Sequence, residues 1–156
     1  MRTYKPIEGV ALPSETLAQA INRLTRSHRG DTYQNGVKPG PVKLEQFREA
    51  MRVRGVPALY AQEDTGEATI AHLKLFNPCG QQTYYITEYS DVAPDGATML
   101  GFGLVDWHEE ELGYIPIEEL ASTPGGPFRI GIEIDMHWKP RPLSECYKAA
   151  RKAVEA

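Results

Sequence analysis

Residues 69–89 read TIAHLKLFNPCGQQTYYITEY, and they carry the strongest indication of the fold class. Polar and apolar residues alternate along Thr69–Phe76, as they do in a strand with one buried face. Gln82–Tyr89 is rich in threonine and tyrosine, which both favour strands. The residues between these two segments, Asn77-Pro78-Cys79-Gly80, are a turn sequence. The stretch therefore predicts a β-hairpin whose inward side chains are Ala71, Leu73 and Leu75.

The same two-residue period predicts further strands on both sides of the hairpin. The candidates are Ala58–Gln62, Leu100–Trp107, Leu112–Ile115 and Phe128–Trp138. The last of them shows the clearest alternation. Its apolar face would carry Ile130, Ile132, Ile134, Met136 and Trp138, and its polar face Arg129, Glu133, Asp135 and His137. One solvated face is typical of an antiparallel sheet.

Helical spacing of apolar residues predicts two helices before the hairpin and one after the last strand. The first follows Ser14, an N-cap residue, and the second runs from about Val42 to Arg54, where Gly55 ends it. Ser144 can cap the last helix, over about Glu145–Val154. A short helix follows Pro116, and residues 31–41 and 90–98 are loops. Consecutive strands between terminal helices predict an α+β fold with a mainly antiparallel sheet of about five strands.

The composition predicts a single soluble domain over residues 1–156. Hydrophobic residues make up 41% of the chain and charged residues 24%, as in ordinary globular proteins. Cys79 and Cys146 do not form a zinc motif, and we expect reduced thiols in a cytoplasmic protein. No apolar run is long enough to span a membrane, and residues 1–15 lack the apolar core of a secretory signal.

Charge is unevenly distributed along the chain. The net charge is +5 over residues 1–56, −12 over residues 57–138 and +3 over residues 139–156. The domain therefore divides into a basic helical N-terminal segment (1–55), an acidic core that contains the sheet (56–145) and the end of the C-terminal helix (146–156). Such asymmetry predicts a charged partner, or docking of one part of the chain on another.

Four stretches of the acidic core resemble an uncharacterised bacterial family, a domain of unknown function. They are PALYAQED at 57–64, HLKLFNP at 72–78 with YYITE at 84–88, GFGLV at 101–105 continuing to IEEL at 117–120, and IEID at 132–135 with PRPLS at 140–144. The resemblance covers about residues 56–145, although Tyr84-Tyr85 stands where the family often shows Trp-Tyr. It implies a genetic setting on conjugative plasmids, phages and other mobile elements. It implies no activity and no catalytic residue.

The acidic core supplies the candidate binding residues. We expect a cationic protein surface to contact Asp106, Glu109, Glu110, Glu111, Glu118, Glu119, Glu133 and Asp135. In the setting that the resemblance implies, this partner would be a nucleic-acid-handling protein of the host or the element, whose basic groove the carboxylates would occupy in place of DNA. The chain would then be a non-enzymatic accessory protein without a cofactor, for example an inhibitor of host defence.

A small metal-dependent hydrolase or nuclease is the alternative interpretation. Its ligands would be Asp106, His108, Glu133, Asp135 and His137, which are side chains that hold divalent metals and activate water when they converge. No HExxH, GxGxxG, P-loop or GxSxG motif accompanies them. The arginines of the N-terminal helices also lack a recognition motif, so we do not expect direct nucleic-acid binding. A homodimer is compatible with the sequence.

Overall fold

A five-stranded antiparallel sheet organises the computed structural model, which describes residues 16–27, 32–33, 36–37, 39–92, 98–124 and 131–155. Its strands in spatial order are β7 (Glu110–Pro116), β6 (Thr98–Asp106), β5 (Thr83–Val92), β4 (Leu73–Phe76) and β8 (Glu133–Ile134). Two short pairs are β1 (Thr32–Tyr33) with β2 (Gly36–Val37), and β3 (Ile70–Ala71) with β9 (Arg141–Pro142). The helices are α1 (Leu17–Ser27), α2 (Pro41–Val53), α3 (Ile117–Ser122) and α4 (Lys148–Glu155). The predicted α+β class is confirmed.

The predicted hairpin is present as β4 and β5. Leu73 pairs with Ile86 at one end of it. In the turn, the Cys79 backbone N–H donates to Asn77 Oδ1 at 2.9 Å. The first predicted strand is split into β3 and β4 at His72, whose N–H donates to the Ile86 carbonyl at 2.9 Å. β5 extends beyond the predicted end at Tyr89, because its pairing with β6 continues.

The boundaries of α2 and α3 follow the predicted local signals. α2 lies within one residue of its predicted span, and Gly55 follows it with a φ of +65°, a left-handed conformation that favours glycine. The short helix predicted after Pro116 is α3. The predicted cap Ser14 lies outside the described residues. None of the helices in the described ranges combines the length and apolar character of a membrane span.

The helices α1, α2 and α3 cover one face of the sheet. Phe47 and Met51 of α2 are almost fully buried in a core that includes Leu73 of β4. α1 contributes Leu17 to the same core, and α3 contributes Ile117. The apolar stripes predicted for the two N-terminal helices therefore pack on the sheet through a shared core.

The opposite face of the sheet is covered in part by the segment that leads into α4. Trp138 is buried there against Tyr85, with ring centroids 5.4 Å apart, and its Nε1–H donates to the Ala71 carbonyl at 3.0 Å. The Arg141 guanidinium lies 4.0 Å from the centroid of the Trp138 ring. Leu143 completes this second apolar cluster. The sheet therefore has two covered faces, which explains the buried side chains on both.

The long strand predicted over Phe128–Trp138 is wrong in the part that the structure describes. Only β8 pairs with the sheet, through Ile134 opposite Leu75. The chain then turns, because Asp135 Oδ1 accepts from the His137 N–H and the Asp135 carbonyl accepts from the Trp138 N–H. The turn ends the alternation, so Trp138 joins the cluster opposite to that of Ile134. Residues 128–130 lie outside the described residues.

Two other predictions are also wrong, one strand and the start of the last helix. Ala58–Gln62 forms turns rather than a strand. The last helix begins at Lys148, and Leu143–Glu145 is a separate 3₁₀ turn, so Ser144 is not its cap. Glu110 of β7 takes the capping role, because its Oε2 accepts from the Lys148 N–H at 2.9 Å. A cap that comes from a distant strand leaves no local signal in the sequence.

The two cysteines should differ strongly in reactivity. Cys79 is exposed in the hairpin turn, whereas Cys146 is buried and burial raises the pKa of its thiol to about 11. Because the thiolate is the nucleophile, we expect one fast thiol and one about a hundredfold slower at pH 8 in native protein. A disulfide reagent with a coloured leaving group measures both phases. Cys79→Ser should abolish the fast phase, and two equally fast thiols would contradict the buried position of Cys146.

Candidate functional site

A cleft of about 490 Å³ opens on the face of the sheet that carries Trp138. One wall is the loop 59–69, which crosses above the strands. The floor and the other wall come from β5, β6 and β7. Leu143 and Tyr147 close the end next to α4. The volume falls in the range of pockets that bind small molecules or side chains.

β7 forms the outer wall of the cleft because it is the last strand of the sheet as described. Its side chains alternate, so Ile115 is buried on the helical face whereas Leu112 and Tyr114 point to the cleft side. These two side chains are each 51% exposed, which is unusual for large apolar groups. Tyr114 lies opposite Phe102 of β6, and their rings meet edge to face at 5.3 Å. The wall is therefore aromatic and open to solvent.

The loop wall is held in place by one glutamine. Gln62 Nε2 donates to the carbonyls of Ile70 and Thr87, and Gln62 Oε1 accepts from the Ile70 N–H at 2.8 Å. Tyr60 in this loop has a φ of +72°, which is rare for a residue with a side chain. Its hydroxyl lies 2.8 Å from the Tyr114 hydroxyl. The strained backbone thus presents Tyr60 across the mouth of the cleft, as strained residues at binding sites often do.

Glu88 lies at the floor of the cleft and is 5% exposed. Its Oε2 accepts from the Gln62 backbone N–H at 2.5 Å. Within the described ranges, no lysine, arginine or histidine forms an ion pair with it. A buried carboxylate without a cation is uncommon, because burial of a charge is costly unless a counter-charge is near.

A β-bulge turns Glu88 towards the cleft. Ile86 pairs with Gly103 and Glu88 with Phe102, so Thr87 is an extra residue in β5. Without it, strict alternation would place Glu88 on the same face as Ile86, in the helical core. The Thr87 hydroxyl donates to the Phe102 carbonyl at 3.0 Å, and this hydrogen bond stabilises the bulge.

Internal basic side chains contact Asp106, Glu133 and Asp135 among the eight predicted binding carboxylates. Asp106 is 5% exposed and lies 2.7 Å from Arg151 Nη2 and 3.1 Å from Lys148 Nζ. Glu133 lies 3.0 Å from Lys43 Nζ, and Asp135 lies 3.6 Å from Lys74 Nζ. The basic terminal segments thus neutralise Glu133 and Asp106, as docking of one part of the chain on another predicts, whereas the partner of Asp135 lies within the acidic core.

The other five predicted carboxylates lie at the two ends of β7. Glu109 and Glu111 are exposed where β7 begins, and Glu118 and Glu119 are exposed just after it ends. Glu110 is half-buried because it caps α4. We call Glu109, Glu111, Glu118 and Glu119 the acidic edge.

The five candidate metal ligands do not come together. No group of three or more His, Cys, Asp or Glu side chains in the described part of the chain is placed to hold a metal ion. Asp106, Glu133 and Asp135 each face a different basic residue. His108 stacks on Trp107, with ring centroids 4.7 Å apart. His137 is exposed in the turn after β8.

A family model described as a protein of unknown function (DUF2958) matches residues 45–155. The chain belongs to this family. The expected uncharacterised family is thereby confirmed, and the match extends beyond 56–145 at both ends to include most of α2 and α4 of this DUF2958 protein. No curated protein and no solved structure matches the chain.

The cleft residues of the DUF2958 protein are not distinguished by composition or spacing. Tyr60, Glu88, Phe102, Leu112 and Tyr114 all lie within stretches that carry the family resemblance, and this was the available signal. Composition and spacing instead indicate carboxylates that are close together in the sequence, such as Glu109, Glu110 and Glu111. A single glutamate in a tyrosine-rich strand has no spacing that distinguishes it.

Proposed function

We propose that this DUF2958 protein is a non-enzymatic binding protein that engages a cationic segment of a partner protein along β7. The observation that carries the proposal is the position of the acidic edge at both ends of an edge strand. Within the described residues, no strand pairs with the outer side of β7. An extended segment can therefore add to the sheet through backbone hydrogen bonds.

Charge complementarity supports a cationic partner. The acidic edge consists of four exposed carboxylates, in a segment of 82 residues (57–138) that holds fourteen acidic residues against two basic ones. Asp106, Glu133 and Asp135 lie against internal cations and therefore contribute less to an external field. The field that remains at β7 speeds association with a basic surface and selects against acidic partners.

The genetic setting implied by the family resemblance favours one class of partner. Mobile elements enter cells whose defence and DNA-handling proteins have basic grooves. An acidic edge strand can occupy such a groove in competition with DNA, because both present closely spaced negative charges. The protein would act in the cytoplasm, where these partners are found, as an accessory or inhibitory protein.

Neutralising the acidic edge should weaken binding of a lysine-rich strand. For a fluorescent (Lys-Thr)₄ peptide, we expect Glu109→Gln with Glu111→Gln to bind about fivefold to tenfold more weakly at 50 mM salt. At 300 mM salt the difference should nearly disappear, because exposed charges are screened over a few ångströms. Fluorescence anisotropy measures both affinities. Glu110 is left intact because it caps α4.

A matched control separates the acidic edge from net charge. Ala18→Lys with Asn22→Lys changes the net charge by the same amount on the exposed side of α1, which packs on α2. This control should retain most of the wild-type affinity. Equal weakening in the two variants, or no weakening in either, would overturn the proposal.

A further inference from the structure

The cleft beside β7 combines apolar walls with negative charge. Tyr60, Phe102, Leu112 and Tyr114 supply aromatic and aliphatic surface. Glu88 supplies a carboxylate at the floor, and the exposed Glu63 and Glu67 lie at the opening. This combination repels anions. It suits a ligand with an apolar stem and a positive end.

The carboxylate of Glu88 lacks a positive partner within the protein as described. Asp106, which is equally buried at 5% exposed, has two basic partners within 3.1 Å. The difference matters, because a buried carboxylate is stabilised chiefly by a nearby cation and by hydrogen bonds. Glu88 has the hydrogen bond from Gln62, and the cleft leaves its other side open to a ligand.

The aromatic wall favours an organic cation over a hydrated metal ion. Ammonium and guanidinium groups bind the faces of tyrosine and phenylalanine, and their alkyl stems pack on apolar side chains. The hydroxyls of Tyr60 and Tyr114 also have lone pairs that accept hydrogen bonds from such a group. A metal ion would require several ligands, and the described residues provide no such group.

We propose that the cleft binds a lysine or arginine side chain of the cationic partner, carried by a segment that crosses the open mouth of the cleft between the loop 59–69 and β7. This inference rests on the proposed function and names the anchor that the partner inserts. The mouth is bordered by Leu112 and Tyr114 of β7 and by Tyr60 of the loop, so a segment that crosses it contacts these side chains. One basic residue of that segment enters the cleft, with its stem on the aromatic wall and its charge against Glu88.

NMR titration of the full chain with two peptides tests this anchor. The probes are Ac-Thr-Val-Lys-Val-Thr-amide and the same peptide with norleucine in place of lysine. The lysine peptide should shift the amide signals of residues 59–67, 88, 102 and 112–114 and bind about tenfold more tightly than the norleucine peptide. Equal affinity for both peptides, or shifts confined to other residues, would overturn the inference.

Glu88→Gln identifies the charge that is responsible. Glutamine keeps an oxygen that accepts from the Gln62 N–H, so the loop is retained and the melting temperature checks this. The variant should lose about tenfold in affinity for the lysine peptide at both 50 and 300 mM salt, and nothing for the norleucine peptide, because a buried pair is poorly screened. Unchanged affinity for the lysine peptide in folded Glu88→Gln would overturn the inference.

A second variant keeps the test decisive if Glu88→Gln does not fold. Tyr114 is half exposed, so Tyr114→Leu removes the aromatic face with little effect on stability. The affinity for the lysine peptide should fall at least threefold, and the affinity for the norleucine peptide should stay unchanged. Equal effects on both affinities would count against the anchor. Failure of the proposed function is recognised separately. In that case the double variant Glu109→Gln with Glu111→Gln would show no salt-dependent loss of affinity for the (Lys-Thr)₄ peptide.

Discussion

Replacing Gly103 with alanine should destabilise the protein by about 3 kcal/mol or more, the upper end of the cost of overpacking a core. A Cβ atom at this position would lie 1.8 Å from the Tyr85 carbonyl oxygen and 3.2 Å from Ile86 Cα. Both are backbone atoms of β5, so no side chain can move aside to relieve the clash. The contact is close because Gly103 lies beside the bulge at Thr87, where β5 approaches β6.

Gly113 is a matched control for this change. It pairs directly with Gly103 in the neighbouring strand, and a Cβ atom added to it would have no neighbour within 4 Å. Gly113→Ala should therefore be neutral or slightly stabilising, because alanine restricts the unfolded chain more than glycine does. Urea unfolding followed by tryptophan fluorescence measures both variants. Similar stabilities for the two variants would show that the bulge does not force the close approach.

The second large effect is expected for Glu133→Gln, which should cost about 3 kcal/mol at pH 7, the usual penalty when a buried charge loses its partner. Lys43 is 1% exposed, and its Nζ lies 3.0 Å from Glu133 Oε1. Burial lowers the pKa of Lys43 and raises the pKa of Glu133, despite the attraction between them. Desolvation therefore outweighs the attraction for both groups. Without Glu133, the charged form of Lys43 would be destabilised further.

The pH dependence of Glu133→Gln gives an independent readout. The pKa of Lys43 in the folded variant lies below its ordinary value of about 10.4, so the unfolded state binds more protons between these two values. Stability should therefore rise with pH through that window, and more steeply than in the wild type. Urea unfolding at pH 7 and pH 9.5 measures the difference.

Lys43→Met is the control for the buried pair. It removes the charge and keeps most of the apolar volume, so added to Glu133→Gln it should restore most of the lost stability. A loss below about 1 kcal/mol for Glu133→Gln alone, with no gain at high pH, would show that Lys43 reaches water without its partner.

The local elements of this DUF2958 protein could be predicted because their signals are local. The hairpin over 69–89 follows from a two-residue period and a turn sequence, and α2 follows from apolar spacing that ends at Gly55. The strand predicted over Phe128–Trp138 is wrong in the described residues 131–138, where the alternation continues in sequence past Ile134. Asp135 Oδ1 there accepts a hydrogen bond from the His137 N–H, and the chain turns instead of continuing as a strand. The two-residue period of the sequence gives no indication of this hydrogen bond.

The candidate site was partly predictable for the same reason. Runs of carboxylates are visible in the sequence, and four of the predicted ones form the acidic edge. Asp106 lies in the same region of the chain but is neutralised by Arg151 and Lys148, 45 and 42 positions away. Which carboxylates have cations depends on which parts of the chain meet in space, so no spacing rule separates Asp106 from Glu109.

Three features of the protein can be read without its structure: the α+β class, the order of the elements around the hairpin and the concentration of negative charge in residues 57–138. Hydrophobic period, turn residues and charge are properties of short segments, and they need no partner strand to be recognised. The orientation of Glu88 towards the cleft cannot be predicted in this way. Its orientation depends on the extra residue Thr87 in the pairing with β6, and a register shift exists only between two strands that have already met.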